Sequence, residues 1–150
     1  MTIDRITVLS RGQARTMQPM AGSAIISINS LTENAAELQP GWDARLTLFF
    51  DDADDIRSGL KCFDVDMARQ VLDFVREHIP KQRLLYVHCT MGNSRSAGMA
   101  IALSETFGLA CFKEGMGRLG ASWPHYNRLV YRVLMDEYLL QEEGIEPYTT

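Results

Sequence analysis

Residues 84–103 read LLYVHCTMGNSRSAGMAIAL, and the way this stretch is read decides the architecture of the whole chain. Residues 84–87 are four apolar positions in a row without alternation, the pattern of a strand covered on both faces of a sheet. His88 and Cys89 end that run, and a short loop of small and polar residues follows. From Ser94 to about Phe107 the sequence becomes apolar at helical spacing, and Gly108 stops it. A buried strand, a turn at a cysteine and an apolar helix make one unit of a parallel α/β sheet.

Working outward, ITVL (6–9) and AIISI (24–28) are β-branched runs bounded by Gly, Ser and Asn and predict buried strands, and RLTLFF (45–50) predicts another. Between them, LTENAAELQPGW predicts a short helical turn capped by Thr32 and closed by Pro40-Gly41. FDVDMARQVLDFVREHIPKQR predicts a helix that starts at Asp64 or Asp66, presents Met67, Val71, Phe74 and Val75 on one face and ends at Pro80. CFKEGMGRLGASWP is a glycine-punctuated loop with room for a short element. NRLVYRVLMDEYLLQEE predicts a terminal amphipathic helix whose apolar stripe is Leu129, Val130, Val133, Leu134 and Leu139. Residues 1–150 therefore predict one α/β domain, a central, mostly parallel sheet of four or five strands with helices on both faces.

Composition narrows the classes. Apolar residues make up 46% of the 150, aromatics 9% and charged residues 23%, ordinary values for a globular domain. A net charge of −4 argues against a broad electrostatic footprint for nucleic acid or anionic membrane. No window has the 18 or so apolar residues of a membrane span, and MTIDRITVLSR is too charged for a signal peptide, so a cytoplasmic protein is expected. Cys62, Cys89 and Cys111 are odd in number and show no metal-ligand spacing, nor do the three histidines. Reduced thiols and no metal or cofactor are the expectation.

In such sheets ligands bind where a central strand ends and the next helix begins, because the helix presents unbonded N–H groups there. Cys89 occupies that position. Thr90, Met91, Gly92, Asn93 and Ser94 separate it from Arg95, enough backbone to curl around a tetrahedral anion, with Gly92 able to take positive φ mid-loop. Arg95 can grip two oxygens of that anion, and the helix N-terminus and guanidinium together favour a thiolate. A buried strand-end cysteine is the competing reading, and a bare Cys-x5-Arg spacing recurs by chance. The longer string His-Cys-x-x-Gly-x-x-Arg-Ser at a strand–helix junction is far rarer.

HCTMGNSRS resembles the signature of the cysteine-dependent protein tyrosine phosphatases, in particular the dual-specificity-like branch and its compact bacterial members. The likeness covers the chain from RLTLFF to the last helix, and the first forty residues only in strand pattern. It implies a phosphotyrosine protein phosphatase-like fold, with Cys89 as nucleophile and Arg95 as phosphate clamp. Ser96 would assist the thiolate and phosphocysteine breakdown, and His88 would brace the loop by a hydrogen bond. The substrate implied is a phosphorylated protein or peptide, with dual specificity left open.

Expelling an alkoxide or phenolate requires an acid, which then serves as base for the second step. The family keeps an aspartate on the loop after the preceding strand. Here that loop carries Asp51, Asp52, Asp54 and Asp55, and Phe50-x-Asp52-x-Asp54 resembles the bacterial members. Asp52 is the candidate and Asp54 the alternative, although the 37 residues from Asp52 to Cys89 are slightly many for the family. Carboxylates this crowded are expected to repel one another, so that at least one holds its proton more tightly.

Arg57, Lys61 and Arg118 are candidate cations for an anionic substrate. Pro124-His125-Tyr126-Asn127 resembles the family's opening of the last helix and is read as structural. Cys62 and Cys111 are expected to be core thiols, with a protective disulfide to Cys89 dependent on geometry. Two rival functions remain at this point: a phosphate-binding pseudo-phosphatase module, and a thiol enzyme of sulfurtransferase or arsenate-reductase type. Sulfurtransferase loops have four residues rather than five before the arginine, and the arsenate-reductase relatives carry their motif at the N-terminus. Partners and oligomeric state are not legible.

Overall fold

The structure, a computed structural model, describes residues 2–144. In chain order its elements are β1 (Arg5–Ser10), α1 (Arg11–Thr16), β2 (Ser23–Asn29), β3 (Ala44–Phe49), α2 (Val65–His78), β4 (Leu84–Cys89), α3 (Arg95–Phe107), β5 (Ala110–Lys113), β6 (Gly117–Arg118) and α4 (Arg128–Glu143). They form one sheet in the order β3-β2-β4-β1-β5-β6, in which only the β5–β6 pair is antiparallel. The fold is thus the expected α/β class with a mostly parallel sheet, but of six strands rather than four or five. The additional pair lies in the glycine-rich stretch: ACFK pairs in parallel with β1, and a turn returns the chain as the two-residue β6.

Strands β2 and β4 sit inside the sheet, and alternate side chains feed two separate cores. Ile6, Val8, Ile26, Ile28, Leu85 and Val87 point into the larger one, which α2, α3 and α4 close. Leu9, Ile25 and Trp42 point into a smaller one, covered by Ala14 of α1 and the segment around Leu38. Helices therefore cover both faces, unequally, because α1 is only six residues long.

Helices α2 and α3 end within two residues of the predicted stops, whereas α1 is not predicted. Asp64, not Asp66, caps α2 by accepting from the Met67 N–H (2.9 Å), and Val71, Leu72 and Val75 bury its apolar face, with Met67 and Phe74 partly covered. Gly108 ends α3 in the left-handed conformation at φ 68°. In α4 the stripe differs from expectation: Leu139 is 46% exposed, while Glu137 turns inward and accepts from Arg69 (3.4 Å) and Gln141 (2.9 Å). Leu139 lies nine residues beyond the buried Val130, which at about 100° per residue is the opposite side of the helix.

The helical turn capped by Thr32 does not form. Residues 31–33 make only a turn, because the Glu33 carboxylate folds back to accept from the Ser30 N–H (2.7 Å) and also faces Arg11 (3.4 Å). Five parallel strands place the loops after β1, β2, β3, β4 and β5 along one edge of the sheet. No helix among the described residues is long and apolar enough to cross a membrane.

Candidate functional site

Cys89 ends β4 on that edge, only 2% exposed. Its sulfur meets the start of α3, where the Ser96 N–H donates to Sγ (3.4 Å) and the Ser96 hydroxyl lies 3.0 Å away. Ser94, the N-cap of α3, makes no side-chain bond to its own helix. The first amides of α3 are thus left to the sulfur and to whatever the loop holds.

Arg95 is 5% exposed and fastens three loops. Its Nη1 donates to Ser30 Oγ after β2 and to the Phe50 carbonyl after β3, both at 2.9 Å, and its Nη2 donates to Thr90 Oγ1 (2.9 Å). No carboxylate among the described residues comes within ion-pairing distance of it, and its Nε–H is buried without an acceptor. A buried guanidinium in that condition is costly unless an anion compensates it.

The loop between them is held from all sides. Gly92 adopts φ 74°, and a Cβ there would stand 3.0 Å from the backbone of Leu9 and Ser10, so the position requires glycine twice over. The Thr90 carbonyl accepts from the Arg11 N–H (3.1 Å). Asn93 is gripped by the Lys113 ammonium through its side chain and by Trp123 Nε1–H through its carbonyl (2.9 Å). Met91 points outward, 67% exposed.

His88 is fully buried, and a chain of hydrogen bonds runs behind it. Arg11 Nη1 donates to Asn29 Oδ1 (2.9 Å), Asn29 Nδ2 to Ser27 Oγ (3.3 Å), and the Ser27 hydroxyl meets His88 Nε2 (2.6 Å). The arrangement is consistent when Ser27 donates, which leaves Nδ1–H to face the Cys89 carbonyl at 3.5 Å. His88 therefore does contact the loop, at the long limit of a hydrogen bond. Burial pushes its pKa down from 6.5 to about 4, so the ring is neutral at pH 7.

That shift carries a stability prediction. A histidine whose folded pKa lies below its unfolded value adds its full stability above pH 6.5, and loses it as pH falls towards 4. Between pH 7 and 4.5 urea unfolding should show a loss of about 2–3 kcal/mol from this group alone. His88→Asn should lack that component; an equal pH slope in the two proteins would refute the buried neutral imidazole.

The carboxylates of the acidic loop are told apart by their partners. Asp51 accepts from Leu31 N–H (3.3 Å) and Lys61 N–H (3.2 Å), and Asp55 pairs with Arg57, which holds its carboxyl below the usual range. Asp52 alone reaches the loop of Cys89. Its Oδ1 accepts from Ser94 Oγ (2.7 Å) and Asn127 Nδ2 (2.9 Å). Asp54 stays exposed on the wall of an adjoining cleft of about 300 Å³, shared with Asp52, Ser94, His125 and Arg128.

Asn127 belongs to the site as well as to the fold. It caps α4 by accepting from Val130 N–H (3.0 Å) and also ties Asp52 and the Ala53 carbonyl (3.1 Å). The approach that allows this depends on Gly98, since a Cβ there would lie 2.5 Å from the Asn127 carbonyl oxygen. Arg57 and Lys61 are spent on Asp55 and Asp64, and Arg118 lies over the Phe112 ring. Cys111 is a core thiol, pushed up to about 12 by burial, but Cys62 is only half-buried in the acidic loop, and all three cysteines are free.

Sequence reasoning missed Arg11, Ser27, Asn29, Ser30, Lys113 and Trp123. Only α1 carried a local signal, the capping box Ser10-x-x-Gln13 that places Arg11. Among the described residues, no group of three or more His, Cys, Asp or Glu is arranged to hold a metal. Comparison of the chain with protein-family models, with curated proteins and with solved structures gives no match.

Proposed function

We propose that this chain is a phosphomonoesterase of the cysteine-dependent protein tyrosine phosphatase kind, acting on phosphotyrosine through a phosphocysteine. The observation that carries the reading is Arg95: a guanidinium 95% buried, without a carboxylate among the described residues and with an unpartnered Nε–H, at the end of a loop that begins at a cysteine. A phosphoryl group would supply the missing acceptor and the missing charge together.

The chemistry divides into two displacements. The Cys89 thiolate attacks phosphorus, the phosphorus–oxygen bond to tyrosine breaks, and the departing phenolate takes a proton from Asp52. Oδ1 of Asp52 is already an acceptor from Ser94 and Asn127, which leaves Oδ2 to carry that proton. Water then attacks the phosphocysteine and gives a proton back to Asp52. The sulfur leaves as thiolate, stabilised by the Ser96 hydroxyl and N–H. Arg95 and the amides at the start of α3 spread the charge of the transferring group.

A panel of phosphotyrosine and phosphoserine peptides, phosphoinositides and phosphorylated nucleotides tests the reading, with release of inorganic phosphate as the readout. Phosphotyrosine peptides are expected to lead it. Binding without release would favour the phosphate-binding module instead. For the acid, Asp52→Asn should slow phosphoenzyme formation from phenyl phosphate, read as the phenol released in the first turnover, by about 10²–10³-fold, yet change that from a dinitrophenyl phosphate only a few-fold, because the better leaving group needs no proton. Equal losses on both would remove Asp52 from the role, and a selective loss in Asp54→Asn would transfer it.

A further inference from the structure

Scattered exposed apolar side chains are ordinary, but their concentration in one place is not. Nine large apolar side chains among the described residues are exposed, and five of them stand on the loops around Cys89: Leu31 at 54%, Ile56 at 78%, Leu60 at 53%, Met91 at 67% and Met116 at 63%. They come from the loops after β2, β3, β4 and β5, which share one edge of the sheet.

Each is anchored close to the cup. Leu31 follows Ser30, which accepts from Arg95, and its own N–H donates to Asp51. Ile56 and Leu60 belong to the loop that Asp51 closes by bonding Lys61 and that Asp52 ties to Ser94. Met116 stands at the β5–β6 turn, three residues past Lys113, which holds Asn93.

The charges interleaved with these side chains decide what they would meet. Arg11, Arg57 and Lys61 already face Glu33, Asp55 and Asp64. Asp51, Asp52, Asp54 and Glu114 add negative charge to the same edge, and Lys113, Arg118 and Arg128 offset it. A rim with so little net charge offers nothing extra to an acidic segment or an anionic bilayer, and leaves apolar contact as what it gives the neighbours of the phosphate.

We propose that the mouth of the site is a docking surface for a phosphotyrosine segment of another protein whose immediately flanking residues are apolar. This rests on the phosphatase reading of the cup, and it deepens that reading by naming the substrate sequence class. The flanking side chains would bury against Leu31, Ile56, Leu60 and Met116 while the phosphotyrosine enters between them.

The test uses the full chain carrying Cys89→Ser, and fluorescence anisotropy with three phosphotyrosine peptides of equal length bearing leucine, alanine or glutamate flanks. The leucine peptide is expected to bind about tenfold more tightly than the alanine peptide, and the glutamate peptide more weakly than either. Leu31→Ser, Ile56→Ser and Met116→Ser combined should bring the leucine and alanine peptides within about twofold of each other. In the cysteine-intact chain the same triple variant should leave p-nitrophenyl phosphate turnover unchanged, which also shows that it folds; Ile56→Ser alone should give part of the effect.

Equal affinities for the three peptides in the parent overturn the proposal. So does tighter binding to phosphatidylcholine vesicles bearing a phosphorylated inositol lipid than to the leucine peptide. Loss of the phosphatase reading looks different: wild type would fail to hydrolyse p-nitrophenyl phosphate, while the flank preference would still be read from binding alone.

Discussion

Cys89→Ser is expected to lower turnover of an aryl phosphate by roughly 10⁴-fold or more, while leaving the fold and the affinity for a phosphotyrosine peptide in place. The reason lies in what surrounds the sulfur. Its contacts are the Ser96 N–H and the Ser96 hydroxyl, which stabilise a negative sulfur but cannot take a proton from a hydroxyl. The one imidazole nearby, His88, turns its Nε2 to Ser27 and its Nδ1 to a carbonyl, so it offers no base. A thiol ionises within reach of neutral pH; a serine in the same place would need an adjacent base that this site does not have. The exchange is nearly isosteric in a buried position, so stability should change by only about 1 kcal/mol. The measurements are steady-state release of phosphate, urea unfolding and peptide binding, on wild type and variant together. Retention of more than a tenth of wild-type turnover would remove Cys89 as nucleophile. An inactive wild type that binds the peptide as tightly as the variant would make the chain a phosphate-binding module.

The parts of this site that could be read from the sequence are those whose chemistry is local. Residues 84–108 encode a strand, a loop and a helix in one continuous run, and the structure realises them as β4, the Cys89 loop and α3 within two residues of the expected bounds. The contact between the Cys89 sulfur and Ser96 spans only seven positions, so motif spacing could suggest it. What joins Arg95 to Ser30 and Phe50, 65 and 45 residues away, is strand order, and strand order is not a local property.

The same distinction explains the errors. ACFK is too short and too close to glycines to read as a strand, and becomes one because β1 offers it a parallel edge. LTENAAELQPGW has a plausible cap in Thr32, but Glu33 spends its carboxylate on the Ser30 N–H and on Arg11, contacts made available by the ends of β1 and β2. Among the four aspartates, crowding does not tell one from another, and only the resemblance of Phe50-x-Asp52-x-Asp54 favours Asp52. The structure distinguishes them by partners: Asp52 is the one that Asn127, 75 residues later, can reach.

Arg95→Met separates function from stability more sharply than any other single change. Its kcat/KM on an aryl phosphate should fall by about 10³–10⁴-fold, since the planar donor to the oxygens of the transferring phosphoryl group has no substitute in the loop. Lysine would not rescue it, because an ammonium cannot donate at once to Ser30, to the Phe50 carbonyl and to Thr90 while keeping a further N–H for an oxyanion. Stability of the ligand-free protein should behave differently. The variant loses three hydrogen bonds and leaves the Phe50 carbonyl without that donor, a cost of about 1–3 kcal/mol. It also removes a buried charge that no carboxylate among the described residues compensates, a gain of similar size. The two nearly cancel, so ligand-free unfolding should shift by no more than about 1 kcal/mol. The difference then appears on adding vanadate, a phosphate mimic. At about 100 times its Kd the wild type should gain about 2.7 kcal/mol, and Arg95→Met almost nothing at the same concentration. Equal stabilisation of both proteins would mean that the anion does not meet Arg95. A ligand-free loss of several kcal/mol would mean that its guanidinium is held for the fold rather than for a phosphoryl group.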